Sequence, residues 1–88
     1  MFEPVPDGFT IDRQFENVRI TRSLDGSCVG VQFAKEELHR NIRIVLEEES
    51  FWFRGCRQWY REDYKNPRWN LAGTLRIIRE LRELGLVK

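Results

Sequence analysis

Apolar and polar residues alternate over two short stretches of the chain. Val18 and Ile20 are interleaved with Arg19 and Thr21, and Val29, Val31 and Phe33 with Gly30 and Gln32. A period of two belongs to a strand with one covered face. Between the stretches lies Ser23-Leu24-Asp25-Gly26-Ser27, whose Asp-Gly pair signals a tight turn, so a β-hairpin over residues 17–22 and 28–33 is predicted. Phe9 and Ile11 alternate in the same way, and residues 9–12 can add a third strand. Residues 1–8 hold Pro4, Pro6 and Asp7-Gly8 and are predicted to be irregular and loosely attached.

The period then changes. In residues 34–49, Ala34, Leu38, Ile42, Val45 and Leu46 fall on one side of a helical wheel and only Ile44 points away. The β-branched run Ile42-Arg43-Ile44-Val45 also suits a strand, but the helix is the preferred reading. In residues 51–65, Trp52, Phe53, Cys56, Trp59, Tyr60 and Tyr64 share one arc of a wheel, with Arg54, Arg57, Arg61 and Lys65 on the adjacent arc. That spacing predicts a second helix capped by Ser50 and broken at Asn66-Pro67, although Gly55 disfavours it and Phe51–Arg54 could be extended instead. Leu71, Leu75, Ile78 and Leu81 recur at helical spacing after Asn70 as N-cap, with Gly85 as the stop.

These elements make one α+β domain over residues 9–88: an N-terminal antiparallel hairpin, three strands if residues 9–12 join, packed on two or three helices. The shared core is expected to centre on Val18, Ile20, Val31, Phe33, Leu38, Phe53, Tyr60, Leu75, Ile78 and Leu81. At 88 residues, 41% hydrophobic and 33% charged, the chain is long enough for a single core and too apolar for a disordered segment. It has no apolar run long enough to span a membrane and no secretory signal at its start, so a cytoplasmic protein is expected. Reduced, buried thiols are expected at Cys28 and Cys56, a disulfide between them being the alternative.

Charge is distributed unevenly. Residues 1–50 carry six Lys and Arg against ten Asp and Glu, whereas residues 51–88 carry nine against four. Seven of the eleven aromatics lie in residues 51–69, beside Arg54, Arg57, Arg61, Lys65 and Arg68. Arginine forks to carboxylate and phosphate and stacks on rings, so this mixture points to a contact surface. No acid lies four positions from Arg54, Arg57 or Lys65 to neutralise it. Trp69, in the break between the helices, either plugs the corner or is presented as an anchor.

The tail Thr74-Leu75-Arg76-Ile77-Ile78-Arg79-Glu80-Leu81-Arg82-Glu83-Leu84-Gly85-Leu86-Val87-Lys88 resembles the recognition helix of bacterial winged-helix regulators. In that family a Thr or Ser start, a leucine stripe and a Leu-Gly-Leu-Val end precede the wing. The resemblance implies DNA reading by this helix.

Catalytic chemistry has little to work with. His39 is the single histidine, in a glutamate-rich stretch, and is read as a surface side chain. Cys56 with His39 has no supporting spacing as a nucleophile pair. There is no pair of cysteines or histidines at metal-ligand spacing and no glycine-rich phosphate loop, and Glu47–Glu49 reads as a solvated acidic run, so neither metal nor cofactor is expected. The expected function is that of a non-catalytic protein-binding regulator, an adaptor or inhibitor. In size and type it is similar to the inhibitors of phages and mobile elements. Its binding residues would be Arg54, Arg57, Arg61, Lys65, Arg68 and Trp69, facing an acidic protein surface. Nucleic-acid binding through the same stripe and the C-terminal helix is the alternative, against which the near-neutral pI of about 7.8 weighs. Self-association of the acidic and basic halves into a homodimer is a third reading.

Overall fold

The computed structural model describes residues 2–35, 40–55 and 57–88. Five strands, β1 (Phe9–Gln14), β2 (Val18–Ser23), β3 (Cys28–Phe33), β4 (Trp52–Gly55) and β5 (Gln58–Glu62), form one antiparallel sheet in the order β1-β2-β3-β5-β4. Two helices are seen among the described residues, the short α1 (Arg40–Glu48) and the C-terminal α2 (Pro67–Glu83). The molecule is therefore mostly sheet with a C-terminal helix. The expected three strands on two or three helices is overturned.

The β2–β3 hairpin forms where the alternation placed it. Val18 pairs with Phe33 and Ile20 with Val31, so these four residues share one face. Gly26 turns the chain with φ of 76°, a left-handed value that suits glycine. Asp25 fixes the turn from the side: its Oδ1 accepts from Ser23 Oγ at 2.7 Å, from Ser27 Oγ at 2.8 Å and from the Ser27 backbone N–H at 3.0 Å. Those bonds, the Ser23 hydroxyl foremost, hold the carboxyl at a pKa of about 2.

The predicted helix over residues 51–65 is instead the β4–β5 hairpin. A helix would have turned Trp59 and Tyr60 to one side. Both are buried, but as neighbours on a strand they point to opposite faces. The reversal between the strands uses Gly55 at φ 100° and Arg57 at φ 61°. Aromatic density at Phe51–Phe53 and Trp59-Tyr60 supports extended backbone once both faces are covered.

Both helices pack on the same side. Ile42 and Leu46 of α1 and Ile77, Ile78 and Leu81 of α2 join Val18, Ile20, Val29, Val31, Phe33, Phe51 and Trp59 in the core. Each such side chain contributes roughly 1.5–3 kcal/mol by leaving water. Ile44 is exposed, as the helical reading of its segment requires. Of the expected core, Leu75 packs only partly buried, Phe53 is exposed, Tyr60 is buried on the other face, and Leu38 lies outside the described residues. Pro67 opens α2 at its first turn, with Asn66 rather than Asn70 at the N-cap. At the far end the Gly85 N–H bonds the Arg82 carbonyl and the Leu86 N–H bonds that of Leu81, a Schellman stop with Gly85 at φ 77°. Because α2 follows a strand, it is not the second helix of a helix-turn-helix, and its Thr74 is buried against the sheet. No helix among the described residues is long and apolar enough to cross a membrane.

Candidate functional site

With residues 51–65 on two strands, the basic positions separate. Arg54 sits at a bulge in β4, its guanidinium 5.5 Å from the centre of the Tyr60 ring. Arg57, in the turn, donates from Nε to the Phe33 carbonyl at 3.2 Å and from a terminal nitrogen to Glu3 Oε1 at 2.9 Å. Lys65 lies in the β5–α2 connection, where its backbone N–H meets Asp63 Oδ1 at 3.2 Å. Arg68 is exposed on the first turn of α2, at a cavity of about 550 Å³ shared with Asp12, Arg22, Asp25 and Leu71. Arg54 and Arg57 remain near each other around the β4–β5 turn, whereas Arg61, Lys65 and Arg68 are elsewhere.

Arg61 points into the helix-covered face. It donates from Nε to Asn70 Oδ1 at 2.8 Å, and from one terminal nitrogen to the Asn70 carbonyl at 2.7 Å and Thr74 Oγ1 at 3.2 Å. Its plane lies 5.0 Å from the Phe51 ring centre, and Glu49 Oε2 stands 3.9 Å away. Burial pulls this guanidinium below its ordinary pKa, with Glu49 opposing the shift. Gly73 is what lets it in, because a Cβ there would stand 2.9 Å from the Arg61 terminal nitrogen.

Trp69 is 71% exposed, at the rim of an open groove of about 700 Å³. The groove lining is acidic: Glu48, Glu49, Glu62, Asp63 and Glu80 outnumber Arg61 and Arg76. Trp69 is thus presented outward, but among carboxylates rather than among the cations of the expected stripe.

The opposite sheet face carries a second constellation, which the sequence reading passed over. Arg19, Thr21, Gln32 and Tyr60 all point there and all are buried, Arg19 at 8% exposure and Gln32 at 1%. Arg19 Nε donates to Gln32 Oε1 at 2.8 Å. Residues 2–9 supply contacts on this face. The Phe2 ring centre is 4.8 Å from the Arg19 guanidinium, the Glu3 carbonyl accepts from Arg19 and its carboxylate from Arg57, and Phe9 meets Tyr60 edge-on at 5.7 Å. Gly30 leaves room for the Tyr60 ring, since a Cβ would stand 3.0 Å from it and 2.5 Å from Thr21 Oγ1. The Tyr60 hydroxyl donates to Gln58 Oε1 at 2.8 Å. Only the strand alternation of Arg19, Thr21 and Gln32 hinted at this face, and alternation alone reads as a solvated side.

The sheet has two edges. At β4, Trp52 is 44% and Phe53 53% exposed, one on each face, and no strand among the described residues pairs with its outer side. At the β1 side, Arg13, Arg79 and Arg82 surround a cavity of about 250 Å³ with Phe15 and Leu75, and no carboxylate among the described residues lines it. Arg82 lies 5.1 Å from the Phe15 ring centre.

Cys28 is a free thiol whose pKa is pushed up to about 11, by burial first and then by Glu62, so it stays protonated at neutral pH. The readings of His39 and Cys56 lie outside the described residues. Among the described residues, no three or more His, Cys, Asp or Glu side chains are grouped so as to hold a metal ion. No protein-family model, curated protein or solved structure matches the chain.

Proposed function

We propose that the chain is a protein-docking module, an adaptor or inhibitor without catalysis of its own, that engages a partner through the outer edge of β4. The observation that carries this reading is the pair of large exposed aromatics, Trp52 and Phe53, on adjacent residues of an edge strand whose outer side no strand among the described residues pairs. Protein edges are normally blunted with charge, because open N–H and C=O groups recruit further strands. Here a ring is offered above and below the sheet plane, with Arg54 next in line. That is the chemistry of strand addition, in which backbone bonds hold an extended segment and alternate side chains anchor it. The four-residue length and the bulge at Arg54 restrict the edge to a short, specific contact. Arg54 at its end favours an acidic partner strand.

The test is panning of a random peptide library, followed by titration of enriched peptides. Peptides that lose at least ~10-fold affinity on Phe53→Lys and keep it on Arg79→Glu support the reading, a tenfold loss being about 1.4 kcal/mol. Peptides indifferent to Phe53→Lys, or sedimentation showing that β4 is already covered by a second copy, would refute it.

A second reading has its own observation. The carboxylate-free cluster of Arg13, Arg79 and Arg82 includes two cations of the C-terminal helix and suits a phosphate backbone. Affinity for duplex and single-stranded nucleic acid across a salt series tests it. A log–log slope of about −2 to −3 corresponds to the three cations, and no binding at low salt dismisses it.

A further inference from the structure

We propose that the sheet face opposite the helices is a receptor groove for an extended acidic peptide of another protein, which residues 2–6 fill in cis. The groove and its cover are built to different standards. The floor is fully packed: Thr21 and Gly30 lie beneath Tyr60, and Arg19 is bonded to Gln32. The cover is not. Phe2, Glu3, Val5 and Pro6 are only half-buried, and Pro4 is exposed. Two prolines remove backbone donors from this short segment and favour an extended conformation. A half-exposed segment, held by side-chain contacts at Phe2 and Glu3 over a packed floor, opens at a lower free energy than the sheet beneath it.

Polarity points the same way. A sheet face destined for permanent covering is normally apolar, whereas this one buries an arginine, a threonine and a glutamine. Gln32 Nε2, on the side chain that Arg19 holds, finds no hydrogen-bond partner among the described residues, although Gln32 is more than nine-tenths buried. An occupant with better-placed polar groups would satisfy what the present one leaves unmet. Opening also costs less here than on an apolar face, because water can serve the Gln32 amide.

The present occupant shows what kind of ligand fits. It is an aromatic followed by a carboxylate in an extended, proline-containing segment. The ring stacks on Arg19, the carboxylate meets Arg57, and the backbone carbonyl of the same acidic residue accepts from Arg19. Arg54, over the Tyr60 ring, adds a third cation on the side of Trp52. A partner segment with more than one acid would therefore compete well against Glu3 alone.

The test uses the full chain and a fluorescent peptide with the sequence of residues 2–7. A closed cover reduces apparent affinity by the fraction of molecules open, so loosening the cover should restore it. The Phe2→Ala/Glu3→Ala double variant is expected to bind the peptide at least ~10-fold more tightly than the unaltered chain. Adding Arg57→Ala should abolish that gain. Equal binding in both proteins, or a gain that survives Arg57→Ala, overturns the proposal. So does a concentration-dependent dimer that exchanges residues 2–6 between copies while ignoring the peptide. Should the double variant fail to fold, amide shifts of the unaltered chain at millimolar peptide decide the matter. Changes centred on Arg19, Gln32 and Arg57 support the groove, and their absence overturns it.

Discussion

Arg61 and Asn70 hold each other by three hydrogen bonds. The guanidinium donates to the Asn70 side-chain oxygen at 2.8 Å and to its backbone carbonyl at 2.7 Å, and Asn70 Nδ2 donates back to the Arg61 carbonyl at 3.2 Å. Asn70 Nδ2 also reaches the Ser27 carbonyl at 3.0 Å, so one buried amide ties the first turns of α2 to both β5 and the β2–β3 turn. Asn70→Ala leaves the buried Arg61 Nε without its acceptor and takes one of two donors from the Ser27 carbonyl, which keeps the Asp63 N–H, and urea unfolding should show a loss of about 1.5–3 kcal/mol. Arg61→Lys should recover little of the Arg61 contribution, because an ammonium cannot fork to Asn70 and lie flat on Phe51.

Gly30→Ala is expected to destabilise the protein by about 1–3 kcal/mol, since the new methyl would press on Tyr60 and Thr21 and neither lies at the end of a flexible chain. A lowered thermal midpoint accompanied by altered Tyr60 ring shifts would confirm the cause. Gly55, with nothing near its missing Cβ, is the contrasting site, where only the φ of 100° resists alanine.

Asp25 makes the hairpin turn sensitive to acid. Its folded pKa of about 2 is below the unfolded carboxyl value of about 3.9, so its stabilising effect is complete above pH 4 and is lost as pH falls towards 2. A carboxyl titration followed by NMR should show the low midpoint. Ser23→Ala, which removes the largest cause of the depression, should move the midpoint upward.

Cys28 should alkylate slowly. With its pKa pushed up to about 11, only about one thiol in a thousand is ionised at pH 8, against roughly a quarter for an ordinary cysteine of pKa 8.5. Iodoacetamide labelling of a Cys56→Ser variant measures this rate directly, and unfolding in urea should raise it sharply.

Much of the fold was legible where one physical demand acted alone. Val18 to Phe33 has one apolar side, so alternation and the Asp25-Gly26 turn disclosed both strands. The leucine and isoleucine stripe of α2 and its Gly85 stop were equally plain. The β4–β5 hairpin was hidden because its two faces are both covered: Trp59 and Tyr60 are each apolar and each buried, which erases alternation. Arginines spaced three and four apart then fitted a helical wheel by coincidence. In space they became a stacking partner at Arg54, a clamp on Glu3 at Arg57 and an interior latch at Arg61. The candidate sites were less legible still. Arg19 and Gln32 look like solvated strand positions until Phe2 and Glu3 are laid over them, and nothing local to residues 2–6 says that they return to the sheet.

Among the described residues, the β4–β5 hairpin is hydrogen-bonded to the β1–β2–β3 meander along the seam between β3 and β5, whose partners Gln32 and Gln58 are separated in the chain by all of α1. Either half can form from neighbours in sequence. The seam must await closure of that long intervening loop, an entropic toll that non-local pairing meets before any reward. Refolding speed should therefore be governed at Val31 and Trp59, which face each other across the join, while trimming the Gly85 stop should chiefly hasten unfolding.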